Sequence, residues 1–87
     1  MNVTVYSKPN CVQCNWVKKF MNNNGIEHTV IDITENTEAY ELVTQTLGYK
    51  AAPVVSWDSP EEGYKHFSGF NPYKLDEIKN AHAATAA

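Results

Sequence analysis

Two cysteines, Cys11 and Cys14, give this sequence its clearest chemical signal. They lie three positions apart, where a strand pattern ends and a helix pattern begins. A disulfide that closes so short a loop restricts the unfolded chain very little, so a purely structural cross-link is a poor explanation of the pair. This spacing beside a strand–helix–strand pattern is typical of a redox-active dithiol. We expect Cys11 to be the nucleophile, because a helix N-terminus stabilises a thiolate, and Cys14 to be the resolving thiol.

Metal binding is the main alternative use of two cysteines at this spacing. A structural zinc site needs four ligands, and the remaining candidates are His28, His66 and His82. Because these histidines are irregularly spaced, the sequence predicts no metal site. A noncatalytic metal-binding or interaction module is the alternative from a different functional class.

Two further residues could act beside the cysteines. Lys8 precedes Cys11 by three positions, so its ammonium could favour the thiolate or receive an acidic partner. An ordinary solvated lysine is an equally good interpretation. Pro53 follows two small residues and opens an apolar strand pattern, which makes it a candidate cis proline that would fold the chain back toward the dithiol. A trans proline at a strand start is the alternative.

Composition limits the function classes that this chain can belong to. The 87 residues carry a net charge of −3, and none of them is arginine, the usual residue for bidentate recognition of phosphates and bases. We therefore expect no nucleic-acid partner. The sequence lacks a membrane-spanning apolar stretch and a signal region, so we predict a cytoplasmic protein with one domain covering residues 1–87.

The apolar pattern predicts the elements that position the dithiol. Residues 2–6 alternate as a strand does, and residues 26–33 have the apolar density of a strand in the interior of a parallel sheet. Between them, a helix begins beside Cys11 and is closed by Gly25. Its apolar stripe consists of Val12, Trp16, Val17, Phe20 and Met21. We expect Tyr6, Trp16 and Phe20 to be core residues.

The second half of the chain contains a further helix, two strands and a last helix. Residues 36–47 form an amphipathic helix pattern capped by Asn36 or Thr37 and ended by Gly48. Strand patterns at 54–57 and 64–67 flank a turn at 58–63 and predict a hairpin. Asn71 and Pro72 are typical of a helix start, and we expect this last helix to fray from residue 81. The order is βαβαββα, an α/β domain with four strands and three helices.

Three segments of the sequence resemble the glutaredoxin superfamily, and the resemblance extends over nearly the whole chain. They are Tyr6-Ser7-Lys8-Pro9-Asn10-Cys11-Val12-Gln13-Cys14, Ala52-Pro53-Val54-Val55 and Ser68-Gly69-Phe70-Asn71-Pro72. Within that superfamily the chain is similar to the NrdH-redoxins, which are glutaredoxin-like electron donors to class Ib ribonucleotide reductase. The resemblance implies a thioredoxin fold, in which a four-stranded mixed sheet is flanked by three helices.

The resemblance also implies a site. Cys11 and Cys14 would be catalytic, Pro53 would match the cis proline of the family, and the backbone of Ala52 would pair with the substrate's cysteine segment. Substrate or partner binding would involve Lys8, Val12, Gln13, Ala52, Pro53, Ser68, Gly69 and Phe70. Val12, Ala51, Ala52 and Phe70 would form an exposed apolar surface around Cys11.

The segment before the last helix bears on the electron donor. Glutaredoxins that use glutathione usually carry a Gly-Gly-x-Asp-Asp segment there, whereas this chain has Ser68-Gly69-Phe70-Asn71-Pro72. The resemblance therefore implies poor glutathione binding and reduction by thioredoxin reductase, with electrons ultimately from NADPH and no bound cofactor. The expected partners are thioredoxin reductase and the large subunit of ribonucleotide reductase or another disulfide protein, with the redoxin acting as a monomer.

A glutathione-dependent glutaredoxin is the alternative within the same superfamily, and a phage-encoded redoxin is compatible with either choice. Phe67 departs from the tryptophan common in NrdH-redoxins.

Overall fold

The computed structural model describes residues 1–85. The elements in chain order are strand β1 (Val3–Ser7), helix α1 (Val12–Asn23), strand β2 (Thr29–Asp32), helix α2 (Thr37–Glu41) with a π-helical segment (Leu42–Thr46), strand β3 (Val54–Ser59), strand β4 (Gly63–Ser68) and helix α3 (Pro72–Thr85). This order confirms the predicted βαβαββα pattern. Both hairpin strands extend further into the turn than predicted, which leaves only residues 60–62 between them.

The four strands form one mixed sheet in the order β2-β1-β3-β4. Strand β1 pairs in parallel with β2 and antiparallel with β3, and β3 and β4 form the predicted hairpin. The prediction that residues 26–33 lie in the sheet interior is wrong, because β2 is an edge strand and Val30 is exposed. The apolar residues of this segment pack at separate places: Ile26 enters the core before the strand begins, and Ile31 and Ile33 pack, partly buried, against the core on the other side of the sheet.

Alternation along the strands divides the core into two layers. Val5 and Val55 face one side of the sheet, where residues of α1 and α3 cover them. Tyr6 and Val54 face the other side, where the α2 region covers them. Burial of Tyr6 confirms its prediction as a core residue. The side chains of α3 that complete the first layer are Leu75 and Ile78, both fully buried.

Helix α1 turns a different face to the sheet than predicted. Its buried residues are Cys14, Val17 and Met21, spaced by three and four positions as one helical stripe requires. Trp16 is one position off that stripe and is half exposed, so its prediction as a core residue is wrong. Phe20 is partly buried and packs against the core from the edge of the stripe.

Local capping signals set the helix boundaries. Gly25 has the left-handed φ of 62° predicted for the end of α1, and Asn36 accepts the backbone N–H of Ala39 at 3.0 Å as the cap of α2. The predicted α-helix over 36–47 is replaced after Glu41 by π-helical bonding, in which the N–H of Leu47 donates to the carbonyl of Leu42 at 2.9 Å. In the same segment the hydroxyl of Thr44 donates to the carbonyl of Tyr40 at 2.8 Å.

Helix α3 begins as predicted and continues further. The side-chain oxygen of Asn71 accepts the N–H of Lys74 at 3.2 Å, and Pro72 is the first helical residue. The helix does not fray at residue 81 but reaches Thr85, since alanine has the highest helix propensity. The last two residues of the predicted frayed end, 86 and 87, lie outside the described residues.

Candidate active site

Cys11 and Cys14 form a disulfide at the start of α1. Cys11 is the N-cap residue, with extended backbone angles of −113° and 107°, and its Cα lies 5.2 Å from that of Cys14. The preceding residue, Asn10, takes a left-handed φ of 56°, which asparagine tolerates better than most residues. This turn directs the chain from β1 into the helix and places the first cysteine at its N-terminus.

The two sulfur atoms have different surroundings. Cys11 retains 8% exposure while Cys14 is fully buried, so an approaching disulfide can reach only Cys11. The Sγ atom of Cys11 accepts the backbone N–H of Cys14 at 3.2 Å. In the reduced protein the same N–H would favour a thiolate at Cys11, because it can donate to the negatively charged sulfur. The asymmetry matches the predicted roles of attacking and resolving thiol.

The loop before β3 brings Pro53 into this region. The Ala52–Pro53 peptide bond is cis, which confirms the prediction from the sequence, and Pro53 is buried. Two hydrogen bonds connect this loop to the end of β4. The N–H of Gly69 donates to the carbonyl of Pro53 at 2.8 Å, and the hydroxyl of Ser68 donates to the carbonyl of Ala51 at 3.0 Å. Three of the predicted site residues, Pro53, Ser68 and Gly69, thus belong to one hydrogen-bonded unit.

Gln13 connects that unit to the dithiol helix. Its side-chain oxygen Oε1 accepts the backbone N–H of Phe70 at 3.0 Å. Gly69, the residue before Phe70, has a φ of +83°, which favours glycine, and a Cβ at this position would lie 3.4 Å from the same oxygen. The structure therefore joins three predicted site residues, Gln13, Gly69 and Phe70, across the sequence.

An exposed apolar surface lies on the same side of the molecule. Val12 and Trp16 are neighbours one turn apart on α1, and the ring of Trp16 meets the ring of Phe70 edge-on with centroids 5.7 Å apart. The exposed fractions are 60% for Val12, 51% for Trp16 and 37% for Phe70. We call these three residues the apolar patch. Ala51, expected in this surface, is exposed, and Ala52 is partly buried.

Trp16 is a surface residue of the site that was not predicted from the sequence. A usable signal was present, because a helical stripe that includes Cys14 continues through Val17 and Met21 and excludes Trp16. The position of its ring against Phe70 could not be read from the sequence, because the two residues lie on different elements.

Lys8 lies in the wall of a cavity that adjoins the loop before Pro53. The cavity has a volume of about 550 Å³ and includes Lys8, Lys50, Ala51 and Ala52 among its lining residues. None of the described residues that line it is acidic, although the chain as a whole is negatively charged. Lys50 was not predicted as a site residue. The influence of Lys8 on the Cys11 thiolate stays a prediction.

A larger cavity of about 870 Å³ contains none of the predicted site residues.

The groups with shifted pKa values are not among the predicted site residues. Burial raises the pKa of Tyr6 and of Tyr49, and the negative charge of an ionised Tyr64 would raise both further. On the far side of the hairpin, a hydrogen bond with Lys65 lowers the pKa of Glu77, and the same bond raises the pKa of Lys65. These shifts arise from packing and from an ion pair that joins β4 to α3.

Among residues 1–85, no group of three or more histidine, cysteine or acidic side chains could hold a metal ion. None of the helices within residues 1–85 has the length and hydropathy of a membrane-spanning segment.

Comparison with known proteins gives a consistent result. Residues 3–59 match the family Glutaredoxin. The Glutaredoxin-like protein NrdH of Lactococcus lactis subsp. cremoris (strain MG1363) is 42% identical over 76 residues, which cover 87% of this chain and 97% of the relative. The Gene 56 protein of Mycobacterium phage L5 is 37% identical over 83 residues, 95% of this chain and 77% of the relative.

A solved structure confirms the fold expected from the resemblance. The glutaredoxin-like protein NrdH-redoxin from Escherichia coli matches with a TM-score of 0.76 and 31% identity, over 90% of this chain and 95% of that one. The mixed sheet and three helices are therefore a thioredoxin fold. Taken with the Cys11–Cys14 pair, these similarities show that the chain belongs to the glutaredoxin family and is a thiol-disulfide oxidoreductase.

Proposed function

We propose that this protein is an NrdH-type redoxin that reduces protein disulfides through Cys11 and Cys14 and supplies electrons to ribonucleotide reductase. The observation that carries the proposal is the pairing of a surface-reaching Cys11 and a buried Cys14 with an exposed apolar patch. Apolar surface beside the attacking sulfur suits a protein substrate, which can cover it on docking. The similarity to NrdH proteins supports the same assignment.

The proposed reaction takes place in two exchanges. The thiolate of Cys11 attacks one sulfur of the substrate disulfide, forms a mixed disulfide and releases the other substrate sulfur, which takes up a proton. Cys14 then loses its proton and attacks the Sγ atom of Cys11, which releases the second substrate sulfur as a thiol. Two electrons pass to the substrate, and the protein is left with the Cys11–Cys14 disulfide seen in the structure.

The loop before β3 would align the substrate for this attack. We propose that the backbone of Ala52 pairs with the extended segment that carries the substrate cysteine, in the manner of an added strand. Pro53 sets the direction of that loop, and Ser68 and Gly69 hold it through their bonds to Ala51 and Pro53. Val12 and Phe70 would contact side chains that flank the substrate cysteine.

Thioredoxin reductase would return the protein to its dithiol form, with NADPH as the ultimate electron source. Support comes from the segment at 68–72, where the chain places Phe70 instead of an acidic pair. The E. coli relative is described as having a thioredoxin-like activity profile. We propose that the protein acts in this cycle as a single-domain monomer in the reducing cytoplasm and that its substrate is the large subunit of ribonucleotide reductase.

A glutathione-dependent glutaredoxin is the second candidate, and the cavity beside Ala52 favours it. Lys8 and Lys50 give the cavity a positive charge without any acidic residue among its described lining, which suits a carboxylate. Glutathione carries two carboxylates and could place one of them there. The chain is also similar to a phage protein, and a phage-encoded redoxin could be of either type.

Consumption of NADPH with insulin as the disulfide substrate separates the two candidates. One reaction contains thioredoxin reductase, and the other contains glutathione with glutathione reductase. We expect turnover with thioredoxin reductase and little with glutathione. The reverse result would establish the glutaredoxin alternative, and a lack of turnover in both would contradict the oxidoreductase mechanism. Reduction of an oxidised class Ib ribonucleotide reductase would then test the proposed partner directly.

A further inference from the structure

Gln13 lies between the two cysteines in the sequence, but its hydrogen bond is made elsewhere. Its Oε1 atom accepts the N–H of Phe70 at 3.0 Å, and Phe70 lies 57 positions further along the sequence. The side chain is otherwise exposed. A residue in this position could be expected to contact the substrate, whereas this bond connects it to the protein's own backbone.

The N–H of Phe70 depends on a side chain for its partner because it lies between two regular elements. Strand β4 ends at Ser68, and α3 begins at Pro72, so neither sheet pairing nor helix bonding extends to Phe70. The carbonyl of Pro53 is occupied by the N–H of Gly69. Gln13 therefore supplies an acceptor that the local backbone does not.

Helix α1 contacts Phe70 at two separate points. Gln13 binds its backbone, and Trp16 meets its ring edge-on. The same helix begins at Cys11, whose Sγ atom is bound to the N–H of Cys14. Both contacts come from the helix that has Cys11 at its N-cap, so they fix the position of Phe70 relative to the attacking sulfur. Gln13 does not need to touch either sulfur.

We infer that Gln13 is a positioning residue, which holds Phe70 in place so that the apolar patch is correctly arranged beside Cys11 for a protein disulfide. This inference rests on the proposed docking of protein substrates at that patch. It assigns Gln13 an indirect role, in place of the direct partner contact that the family resemblance implies. A small disulfide that does not cover the patch would be reduced independently of Gln13.

Single-turnover kinetics of the pre-reduced protein test the inference without any reductase. The rate of Cys11–Cys14 oxidation, followed by alkylation of the remaining thiols, is measured against insulin concentration and separately with hydroxyethyl disulfide, a small uncharged disulfide. Replacing Gln13→Met keeps the side-chain length and removes the acceptor. Losing one hydrogen bond should raise the half-saturating insulin concentration about three- to ten-fold. The limiting rate and the rate with hydroxyethyl disulfide should stay within about two-fold of wild type.

Two further variants show whether Gln13 acts through Phe70. Gln13→Glu keeps an acceptor oxygen and should restore most of the insulin affinity. In a Phe70→Ala background, Gln13→Met should cause no additional loss, because the group that it positions is gone. Additive losses in the double variant, or an equal fall in the rate with hydroxyethyl disulfide, would overturn the inference. If wild type and Gln13→Met reduce insulin equally, only this inference fails, whereas an inactive wild type would refute the proposed function itself.

Discussion

The N–H of Gly69 donates to the carbonyl of Pro53 at 2.8 Å, one position beyond the last residue pair of the β3–β4 hairpin. That last pair is Val54 with Ser68, so the bond extends the pairing of the two strands up to the cis proline. The chain can then leave β4 only because Gly69 adopts a φ of +83°. Strand pairing thereby fixes the loop before β3 relative to Phe70, and we propose that the substrate contacts both.

Replacing Gly69→Ala should reduce both stability and insulin reduction. A left-handed backbone costs a residue with a Cβ atom about 1 to 2 kcal/mol, and the new atom would lie 3.4 Å from Gln13 Oε1. Urea unfolding and the insulin assay measure the two effects. Gly63→Ala is the matched control, because Gly63 has a φ of +79° and a Cβ added there would have no other atom within 4 Å. Equal insulin activity in the two variants would contradict the importance of this turn.

Trp16→Ala should weaken insulin reduction more than it weakens the fold. The residue is half exposed, and its edge-on pair with Phe70 contributes about 0.5 to 1.5 kcal/mol. Tyr64→Ala is a suitable control, since Tyr64 has a similar exposure of 52% and lies on the outer strand β4. We expect a higher half-saturating insulin concentration for Trp16→Ala alone. If both variants behave like wild type, the apolar patch does not bind the substrate.

The ion pair between Lys65 and Glu77 predicts a stability change at acid pH. Because Lys65 lowers the pKa of Glu77 in the folded protein, the pair stabilises the fold at pH values above 4.5, the ordinary pKa of this carboxyl. This contribution is lost as the pH falls through the lowered pKa. Glu77→Gln should therefore unfold at a lower temperature than wild type near neutral pH, and the difference should disappear in acid. Circular dichroism monitors thermal unfolding of both proteins at several pH values and gives this difference in unfolding temperature. A difference that persists unchanged in acid would contradict a stabilising role of the Lys65–Glu77 ion pair.

Much of the fold could be predicted because its signals are local. Gly25, Asn36 and Asn71 end or begin helices through contacts within a few residues, and the strand pattern of 54–57 and 64–67 predicts its own hairpin. The edge position of β2 could not be predicted in the same way, because it depends on which strand pairs with the other side of β1. The change to π-helical bonding after Glu41 was likewise absent from the apolar pattern, which is that of a regular helix.

Some features of the candidate site could likewise be predicted from local sequence, while others depend on long-range packing. Cys11, Cys14 and Pro53 could be identified from spacing and resemblance, since their chemistry depends on residue type. The contact between the rings of Trp16 and Phe70 and the bond from Phe70 to Gln13 depend on how α1 lies against the segment after β4. Lys50 became a candidate only when folding placed it in a cavity together with Lys8. Long-range packing, which no local pattern encodes, decides these details.

Trapping of the mixed disulfide is the most direct test of the central claim that Cys11 attacks the substrate disulfide and Cys14 then resolves the mixed disulfide. The variants Cys11→Ser and Cys14→Ser are each mixed with insulin, and covalent complexes are identified by mass spectrometry under non-reducing conditions. We predict that Cys14→Ser accumulates a complex linked through Cys11, while Cys11→Ser forms none and has no reductase activity. A complex linked through Cys14 in the Cys11→Ser protein, or retained turnover in that variant, would contradict the mechanism.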